Sequence, residues 1–319
     1  MAAYMIQAPT INEIRDARVR IRDIAHITPV LTSDTLDRLS GASLFFKCEN
    51  LQKGGAFKFR GATNTVAQLS DEDAARGVAT HSSGNHAQAL AIAARERGIP
   101  AFIVMPKSAP AVKRAAVLGY GAEVIPCEST QVAREAMLNK VVARTGATFI
   151  HPYDDPRVVA GQGTAALELM DQAPELDLII TPIGGGGLIS GTTIAVHATQ
   201  PNTEVVAGEP FGADEAYRSL KSGQRLPSIE PKTIADGLLT GIGAIGFHVL
   251  TSHGIRIVRV TDEQIVDAMR LVWERMKLII EPSAAVPLAA ALGAEMEIQG
   301  KRVGIIFSGG NVDLGRLPF

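Results

Sequence analysis

One stretch of the sequence decides the fold class: Leu178-Ile179-Ile180-Thr181-Pro182-Ile183-Gly184-Gly185-Gly186-Gly187-Leu188-Ile189-Ser190-Gly191. It begins as an apolar run typical of a buried strand, continues through four glycines and ends as an apolar helix-like segment. A glycine turn between a strand and a helix lets backbone N–H groups approach an oxyanion closely, because no Cβ stands in the way. The stretch therefore predicts a strand, a phosphate-binding turn and a helix.

Outward from this stretch, strand-like and helix-like segments alternate along almost the whole chain. The strand-like runs are bounded by Gly, Pro or polar residues and lie at residues 43–49, 77–80, 101–105, 122–125, 178–182, 205–208, 255–260 and 303–307. Segments with apolar residues at helical spacing lie between them, at residues 85–97, 130–143, 159–170, 188–198 and 262–278. This alternation predicts an α/β protein with doubly wound, open parallel sheets.

The length of 319 residues predicts two domains, since a single hydrophobic core stops growing near that size. No low-complexity segment or Pro-rich linker marks a boundary, so the chain is expected to cross between domains inside structured loops. We predict a large domain formed by residues 1–69 and 151–319, and a small inserted α/β domain at residues 70–150.

Charge and composition exclude several classes of partner. The chain has 31 Lys and Arg against 33 Asp and Glu, so it lacks the cationic surplus that nucleic acids or anionic membranes attract. Its apolar stretch at residues 284–294 is far shorter than the ~20 residues of a membrane helix. The cysteines Cys48 and Cys127 have no paired spacing, and the N-terminus lacks the pattern of a signal peptide. We therefore predict a cytoplasmic protein that binds a small molecule.

A lysine with aromatic neighbours is the sharpest chemical signal, in Lys53-Gly54-Gly55-Ala56-Phe57-Lys58-Phe59-Arg60-Gly61. Aromatic surroundings desolvate an ammonium, lower its pKa and free the amine for Schiff-base formation. The alternative for an isolated lysine is an ordinary surface position. Lys58 is the candidate nucleophile because the sequence also contains other predicted ligand-binding turns.

A second polar turn follows a predicted strand, in Thr80-His81-Ser82-Ser83-Gly84-Asn85-His86-Ala87-Gln88. A turn of this kind at a helix N-terminus exposes N–H groups that suit a carboxylate. The alternative is plain capping of the helix by Ser83 or Asn85. The Asn85 amide also offers a donor for a phenolic oxygen, and no metal-binding spacing surrounds His86.

Two interpretations of the glycine run remain open at this level. Glu209 follows the next predicted strand where a dinucleotide-binding fold has its ribose-binding acid, but the third glycine of that fingerprint is absent. A nicotinamide-binding oxidoreductase is therefore a competing prediction. A last strand and glycine turn, Ile305-Ile306-Phe307-Ser308-Gly309-Gly310-Asn311-Val312-Asp313, would bring the Ser308 hydroxyl to the ligand-binding edge of the sheet.

Taken together, these segments resemble the pyridoxal-phosphate enzymes of the serine/threonine dehydratase and serine racemase family, which have fold type II, that of the tryptophan synthase β subunit. The matching motifs are Gly-Ala-Phe-Lys-Phe-Arg-Gly-Ala, Ser-Ser-Gly-Asn-His, Gly-Gly-Gly-Gly-Leu and Ser-Gly-Gly-Asn, in the family's order and approximate spacing. The resemblance covers nearly the whole chain and is to the short form, without an added regulatory domain. It implies two doubly wound open-sheet domains.

The resemblance implies a role for each motif residue. Lys58 would form the Schiff base with pyridoxal 5'-phosphate, and the cofactor would also contact Phe57, Asn85, Gly184, Gly185, Gly186, Gly187 and Ser308. In this arrangement Phe57 packs against the pyridine ring, Asn85 bonds its 3-hydroxyl and Ser308 faces its nitrogen. The substrate carboxylate would be bound by the turn Ser82, Ser83, Gly84, Asn85 and His86.

By the same resemblance, the reaction is loss of water from a 3-hydroxy amino acid: serine, threonine or 3-hydroxyaspartate. The enamine that leaves would hydrolyse to a keto acid and ammonia. In racemases of the family, a serine on the opposite ring face exchanges the α-proton, and Ser83 has that position. Racemisation is therefore an expected side activity, and a cysteine synthase-like β-replacement is the alternative reaction.

Three further expectations concern metal, specificity and assembly. Glu209, the Ala213 carbonyl and Glu215 resemble the divalent-cation loop of the racemase branch, which would bind Mg²⁺ or Ca²⁺. The family's pattern usually ends in Asp where this chain has Glu215. Asp214 or a water is therefore the alternative ligand in place of Glu215. The alternative to any metal site is an exposed acidic loop. Arg134 is a candidate for binding a second carboxylate of the substrate. The alternative is that Arg134 is an ordinary exposed arginine on a helix. A homodimer is common in such families.

Overall fold

A computed structural model describes residues 7–319 of the chain. Its strands are β1 Val30–Leu31, β2 Ser43–Cys48, β3 Val78–His81, β4 Ala101–Pro106, β5 Glu123–Cys127, β6 Thr148–Phe149, β7 Leu178–Pro182, β8 Glu204–Pro210, β9 Arg256–Val260 and β10 Arg302–Phe307. Its α-helices are α1 Ile11–Ile21, α2 Asp34–Ser40, α3 Lys58–Ala67, α4 Asp71–Arg76, α5 Asn85–Arg97, α6 Ala111–Gly119, α7 Gln131–Thr145, α8 Pro156–Gln172, α9 Gly187–Thr199, α10 Glu215–Ser222, α11 Ala244–Ser252, α12 Asp262–Leu271 and α13 Pro282–Leu292.

The larger sheet has six strands in the order β1-β2-β10-β7-β8-β9. All neighbours in it are parallel except β1, which pairs antiparallel with β2. Along β7, Leu178 and Ile180 face one buried cluster and Ile179 faces the other. Both faces of the sheet are therefore covered, which explains why β7 is a continuous apolar run instead of an alternating one. The prediction of an open, doubly wound α/β fold is confirmed.

The neighbouring positions of β10 and β7 bring two glycine turns to the same edge of the larger sheet. Val303, Gly304 and Ile305 pair with Leu178, Ile179 and Ile180 in parallel register. Because parallel strands end on the same side, the turn after β10 and the turn after β7 lie next to each other. This is the edge where open α/β sheets bind ligands.

The smaller sheet has four parallel strands in the order β5-β4-β3-β6. The polar turn that contains Ser82 and Asn85 follows β3, an inner strand of this sheet. Its strands all lie within residues 78–149, and those of the larger sheet lie outside that range. The domain boundaries at 69/70 and 150/151 stay a prediction, and residues 1–6 of the first segment lie outside the described part of the chain.

Strands β1 and β6 have no counterpart among the predicted runs. Each has only two residues, Val30–Leu31 and Thr148–Phe149, and a segment that short has no periodicity to detect. Both exist because an adjacent strand offers a free edge. Their formation is a tertiary effect.

Glycines allow three helices to pack at unusually short distances. A Cβ at Gly161 of α8 would lie 2.5 Å from the Gly61 Cα of α3, and a Cβ at Gly163 would lie 2.8 Å from the Gly191 carbonyl oxygen of α9. Any larger side chain would force these helices apart. Helix α8 thus fixes the start of α3, at Lys58, relative to the start of α9.

Among the helices of the described residues, we find none with the length and apolar character needed to cross a membrane.

Candidate active site

The loops at the edges of both sheets enclose a cavity of about 760 Å³. The predicted cofactor and substrate residues all line it: Phe57, Lys58, Ser82, Ser83, Gly84, Asn85, His86, Gly184, Gly185, Gly186, Gly187 and Ser308. Arg134 also lines it, whereas Glu209, Ala213 and Glu215 do not. The fold therefore brings four distant sequence motifs to one cavity and leaves the predicted cation loop outside its wall.

Lys58 begins helix α3 and is held in the cavity by backbone groups from distant segments of the chain. The Phe57 N–H donates to the Ser308 carbonyl at 3.0 Å, so the turn after β10 fixes the start of the helix. The Lys58 ammonium donates to the Pro152 carbonyl at 2.8 Å and lies 5.1 Å from the Phe57 ring centroid. Desolvation lowers the pKa of Lys58 to about 8, against the opposing charge of Glu281. An amine with this pKa is available as a nucleophile near neutral pH.

The glycine run forms an anion cradle at the start of α9. Gly186 has φ +91°, a conformation that favours glycine, and the helix begins at the next residue. A Cβ at Gly185 would lie 2.2 Å from the Tyr153 ring, so only glycine fits beneath that ring. Backbone N–H groups at a helix N-terminus attract phosphate, and this cradle faces the cavity.

Helix α5 starts in the same cavity, directly after the turn of Ser82 and Ser83. Its N-cap is Gly84, and no side chain caps its N-terminus. The alternative of plain capping by Ser83 or Asn85 is therefore wrong. Asn85 and His86, in the first turn of this helix, line the cavity, and the N-terminus of a helix attracts a carboxylate.

The comparisons with known proteins agree with this geometry. Residues 21–309 match the family model described as pyridoxal-phosphate dependent enzyme. This chain belongs to that family.

Three relatives match this pyridoxal-phosphate enzyme over almost their full lengths. A β-hydroxyaspartate dehydratase of Paracoccus denitrificans is 50% identical over 98% of this chain and 99% of its own. The crystal structure of serine racemase from Dictyostelium discoideum matches with 50% identity and a TM-score of 0.92, over 96% of this chain and 99% of that one. The crystal structure of a threonine deaminase from T.th. matches with 41% identity and a TM-score of 0.90, over 96% and 99%.

The cavity of this pyridoxal-phosphate enzyme has the features that its cofactor needs. An amine with a lowered pKa, a glycine cradle for a phosphate and a buried serine, Ser308, face one space. These groups are chemically complementary to an aldehyde, a phosphate and a pyridine nitrogen. The nicotinamide interpretation of the glycine run loses its support, because the matched family is that of pyridoxal phosphate.

Glu281 is the main site residue that the sequence did not reveal. It is buried, lines the cavity and accepts a hydrogen bond from the Asn85 amide at 2.8 Å. Burial, with a smaller contribution from the charge of Asp236, raises the pKa of Glu281 to about 7. Glu281 directly precedes α13 and belongs to none of the sequence motifs, so no sequence pattern offered a reason to select it. Burial of an acid can be found only from the structure.

Residues 151–153, which line the cavity, form a second missed part of the site. The Pro152 carbonyl accepts the Lys58 ammonium, and the Tyr153 ring covers Gly185. The Asp154 carboxylate accepts from the N–H groups of Ala244 and Ile245 at 2.9 and 2.8 Å and so caps α11. A backbone acceptor such as Pro152 leaves no trace in a sequence. The pair Asp154-Asp155 before a helix is a capping signal that was detectable.

His86 contributes to the cavity wall as a neutral, buried ring. Its Nε2 lies 3.2 Å from the Ile150 carbonyl, and Nδ1 has no hydrogen-bond partner among residues 7–319. Desolvation lowers its pKa to about 3, so the ring carries no charge at neutral pH. Its contact with Ile150 agrees with a structural role for the side chain. Any contribution of the ring to carboxylate binding is therefore that of a neutral group.

The two glutamates of the predicted cation loop are buried, so the alternative of an exposed acidic loop is wrong for them. Glu209 is 1% exposed and Glu215 is 3% exposed. Glu209 accepts from the N–H groups of Ala216 and Tyr217 at 2.8 Å, and Glu215 accepts from the Ile242 N–H at 3.0 Å. Burial raises the pKa of Glu209 to about 8 and also raises that of Glu215. Carboxylate oxygens are the ligands that hard divalent cations prefer, and here they already accept hydrogen bonds from backbone N–H groups.

Asp214 is not available as the alternative ligand. Its carboxylate is bound by Arg218 and Arg259, both at 2.8 Å. In residues 7–319 no group of three or more His, Cys, Asp or Glu side chains is arranged around a metal position. A cation in this loop would therefore depend on Glu209, Glu215, a backbone carbonyl and water.

Arg134 extends into the active-site cavity from α7. The side chain is partly buried, and its Nε has no hydrogen-bond partner in the structure. The alternative of an exposed helix arginine is therefore wrong. A buried guanidinium nitrogen without a partner, facing a cavity, is a group that an anionic ligand would satisfy.

Proposed function

We propose that this enzyme removes water from a 3-hydroxy amino acid, which is serine, threonine or 3-hydroxyaspartate, and releases a keto acid and ammonia. The observation that carries the proposal is the Lys58 amine, which has a lowered pKa and shares one cavity with the glycine cradle and the Ser82–His86 turn. The β-hydroxyaspartate dehydratase and the threonine deaminase among the relatives support this reaction class.

The cofactor-binding residues follow from what lines the cavity. Lys58 would bind the aldehyde of pyridoxal phosphate, Gly184–Gly187 its phosphate, Phe57 its ring face, Asn85 its 3-hydroxyl and Ser308 its nitrogen. When bound, the cofactor withdraws electrons from the α-carbon of an attached amino acid. Such withdrawal makes the α-proton acidic, and the protein must then supply a base close to it.

Lys58 has the properties of that base. Its pKa of about 8 keeps a useful fraction of the amine neutral near pH 7. The Ser82–His86 turn would hold the substrate carboxylate at the N-terminus of α5, so that the α-carbon is oriented toward the lysine. Departure of the β-hydroxyl then completes the elimination.

Ser83 would allow racemisation as a side activity. It lines the cavity with Lys58, and an exchange of the α-proton needs a second proton carrier in addition to the lysine. The serine racemase of Dictyostelium discoideum among the relatives supports this proposal. The balance between elimination and racemisation would depend on how often Ser83 protonates the α-carbon before the hydroxyl leaves.

A substrate panel tests the proposed reaction. We expect equal amounts of ammonia and keto acid from at least one of L-serine, L-threonine and 3-hydroxyaspartate. O-acetylserine with sulfide is the matched assay for the alternative, a cysteine synthase-like β-replacement. Product from that pair, with no ammonia from any hydroxy amino acid, would replace the dehydratase proposal by the alternative.

Arg134 is proposed to select substrates with a second carboxylate. A charge-assisted hydrogen bond to a guanidinium contributes about 1.5–3 kcal/mol, so Arg134→Met is expected to lower kcat/KM for 3-hydroxyaspartate by roughly 10- to 150-fold. The value for serine should change by less than about threefold, since serine has no group for Arg134 to bind. Steady-state kinetics on both substrates measure the ratio.

Arg144→Met is the matched control for Arg134, because Arg144 lies on the same helix and pairs with Glu123 at the surface. It should leave both substrates unaffected. A parallel loss for serine and 3-hydroxyaspartate in Arg134→Met would remove Arg134 as a specificity residue.

Glu209, the Ala213 carbonyl and Glu215 are proposed to bind Mg²⁺ or Ca²⁺. The burial of two neighbouring carboxylates supports this proposal, because a cation would offset the negative charge that burial and mutual repulsion disfavour. The cation would neutralise the pair and hold the start of α10. Repeating the substrate panel after chelation, and again after adding each metal back, tests it. We also propose that the protein forms a homodimer and is located in the cytoplasm.

A further inference from the structure

Asn311 is the residue of the Ser308-Gly309-Gly310-Asn311 motif that the proposed function leaves without a role. It follows β10 and does not line the cavity. Its side-chain amide donates to the Gly54 carbonyl at 2.8 Å and to the Asn85 Oδ1 at 2.9 Å. Both donors of Asn311 are therefore used, one on the loop before Lys58 and one on a cavity residue.

The contact with Asn311 determines which way the Asn85 amide points. A carboxamide has an acceptor end and a donor end, and reversing it exchanges the two. Asn311 engages the acceptor end of Asn85. The donor end, Nδ2, is then directed toward Glu281, which accepts from it at 2.8 Å, on the side that faces the cavity.

Two glycines leave space for the hydrogen-bonded side chains of Asn311, Asn85 and Glu281. Gly55 has φ +70°, and a Cβ there would lie 2.7 Å from the Asn311 Oδ1. A Cβ at Gly309 would lie 2.7 Å from the Glu281 Oε1. The Gly310 N–H also donates to the Gly55 carbonyl at 2.9 Å, which joins the two turns directly. The arrangement is thus built into the backbone and does not depend on flexible side chains alone.

We propose that Asn311 is a positioning residue: its donation to the Asn85 Oδ1 keeps the Asn85 N–H₂ directed at the ring oxygen of bound pyridoxal phosphate. This inference rests on the proposed function, in which Asn85 is the donor to that oxygen. A donor stabilises the ionised form of the ring oxygen, and an acceptor in its place would destabilise it. Asn311 therefore acts on the cofactor through Asn85, without touching it.

The substitution Asn311→Asp is expected to reverse the Asn85 amide. The new carboxylate has no N–H to donate, so it is satisfied only if the Asn85 Nδ2 turns toward it. The Asn85 oxygen would then face the cavity and Glu281. Because the pKa of Glu281 is raised to about 7, this carboxyl can carry a proton and donate to the reversed amide. The cofactor's ring oxygen loses its donor.

The test compares purified holoenzymes of the wild type, Asn311→Asp, Asn311→Ala and Asn64→Asp. Asn64 is the matched control, since it is a buried asparagine of α3 that donates to the Arg157 carbonyl at 2.7 Å and does not line the cavity. Equilibrium dialysis measures the affinity for pyridoxal phosphate, and absorbance gives the ratio of the long-wavelength band to the short-wavelength band. The long-wavelength band belongs to the ionised ring oxygen.

We expect Asn311→Asp to bind pyridoxal phosphate roughly tenfold more weakly, the equivalent of one lost charge-assisted hydrogen bond, and to shift absorbance to the short-wavelength band. Asn311→Ala should show a smaller shift in the same direction, and it decides the question if Asn311→Asp does not fold. Asn64→Asp should keep the wild-type band ratio. Folded Asn311 variants with wild-type affinity and band ratio would overturn the inference. A wild type without absorbance or labelling at Lys58 would instead reject the proposed function itself.

Discussion

Replacing Lys58 with alanine is expected to lower kcat/KM for the best substrate by at least about 10⁴-fold, because both a covalent attachment point and a general base are lost. The purified variant should also lack the visible absorbance of the wild type. In the wild type, borohydride treatment followed by peptide mass spectrometry should give the reduced cofactor on Lys58. Steady-state kinetics and the absorbance spectrum measure the effect.

Lys53→Ala is the matched control for Lys58→Ala. Lys53 precedes the same helix, but its ammonium pairs with Glu96 at 2.9 Å, outside the cavity. We expect it to retain near wild-type activity. Full turnover by Lys58→Ala would contradict the mechanism. The pH profile is a second check, because attack needs the neutral amine. The rate at which an amine-reactive reagent labels Lys58 in cofactor-free protein should rise with pH, with its midpoint near the Lys58 pKa of about 8.

The second large effect is on stability and concerns a buried ionic cluster behind the start of α3. Its members are Lys47, Glu49, Arg60 and Glu168. The Arg60 guanidinium donates to both oxygens of Glu49, at 2.7 and 2.8 Å, and to both oxygens of Glu168, each at 2.7 Å. Charge pairing outweighs desolvation and raises the pKa of Arg60. Two positive and two negative groups therefore balance in the protein interior.

Arg60→Met is expected to reduce the free energy of unfolding by about 3–5 kcal/mol, because two buried carboxylates then share the single charge of Lys47. The loss corresponds to a fall in Tm of roughly 10 °C, by the scaling for large domains. Thermal and urea denaturation measure both quantities. Methionine keeps most of the volume, so the effect reports the charge and the hydrogen bonds.

Arg256→Met is the control for Arg60→Met, since Arg256 pairs with Glu204 at the surface and such pairs contribute little. Its Tm should equal that of the wild type. Adding Glu49→Gln to Arg60→Met removes one of the stranded carboxylates and should recover part of the lost stability. An unchanged Tm in Arg60→Met would show that the cluster is not needed for the fold.

The residues whose chemistry depends on their immediate neighbours were predictable from the sequence. The glycine run after β7, the aromatic neighbours of Lys58 and the polar turn after β3 each combine a strand end with residues of special backbone or chemistry. Strand-end turns in parallel sheets meet at one edge, so the shared cavity was also predictable in outline. Arg134 was a weaker prediction, because the residues next to a helix arginine in the sequence do not show whether it faces a cavity.

Other parts of the site depend on contacts between distant segments. The Lys58 amine reaches the Pro152 carbonyl, Asn85 reaches Glu281, and Asn311 reaches Asn85. The Asn311 bond depends on the strand order β2-β10-β7, which places the turn after β10 beside the start of α3. The other two bonds likewise join segments that are far apart in the chain. No pattern in one segment contains this information.

The sequence by itself determined the α/β class, and it predicted the nucleophile, the phosphate cradle and the carboxylate-binding turn that we propose for this protein. The tertiary structure alone decided the burial of Glu281, Glu209 and Glu215 and the orientation of the Asn85 amide. The physical reason is that backbone conformation follows from local sterics and periodicity. Desolvation and hydrogen-bond partnership are set by whichever distant groups the packed sheets bring within a few ångströms.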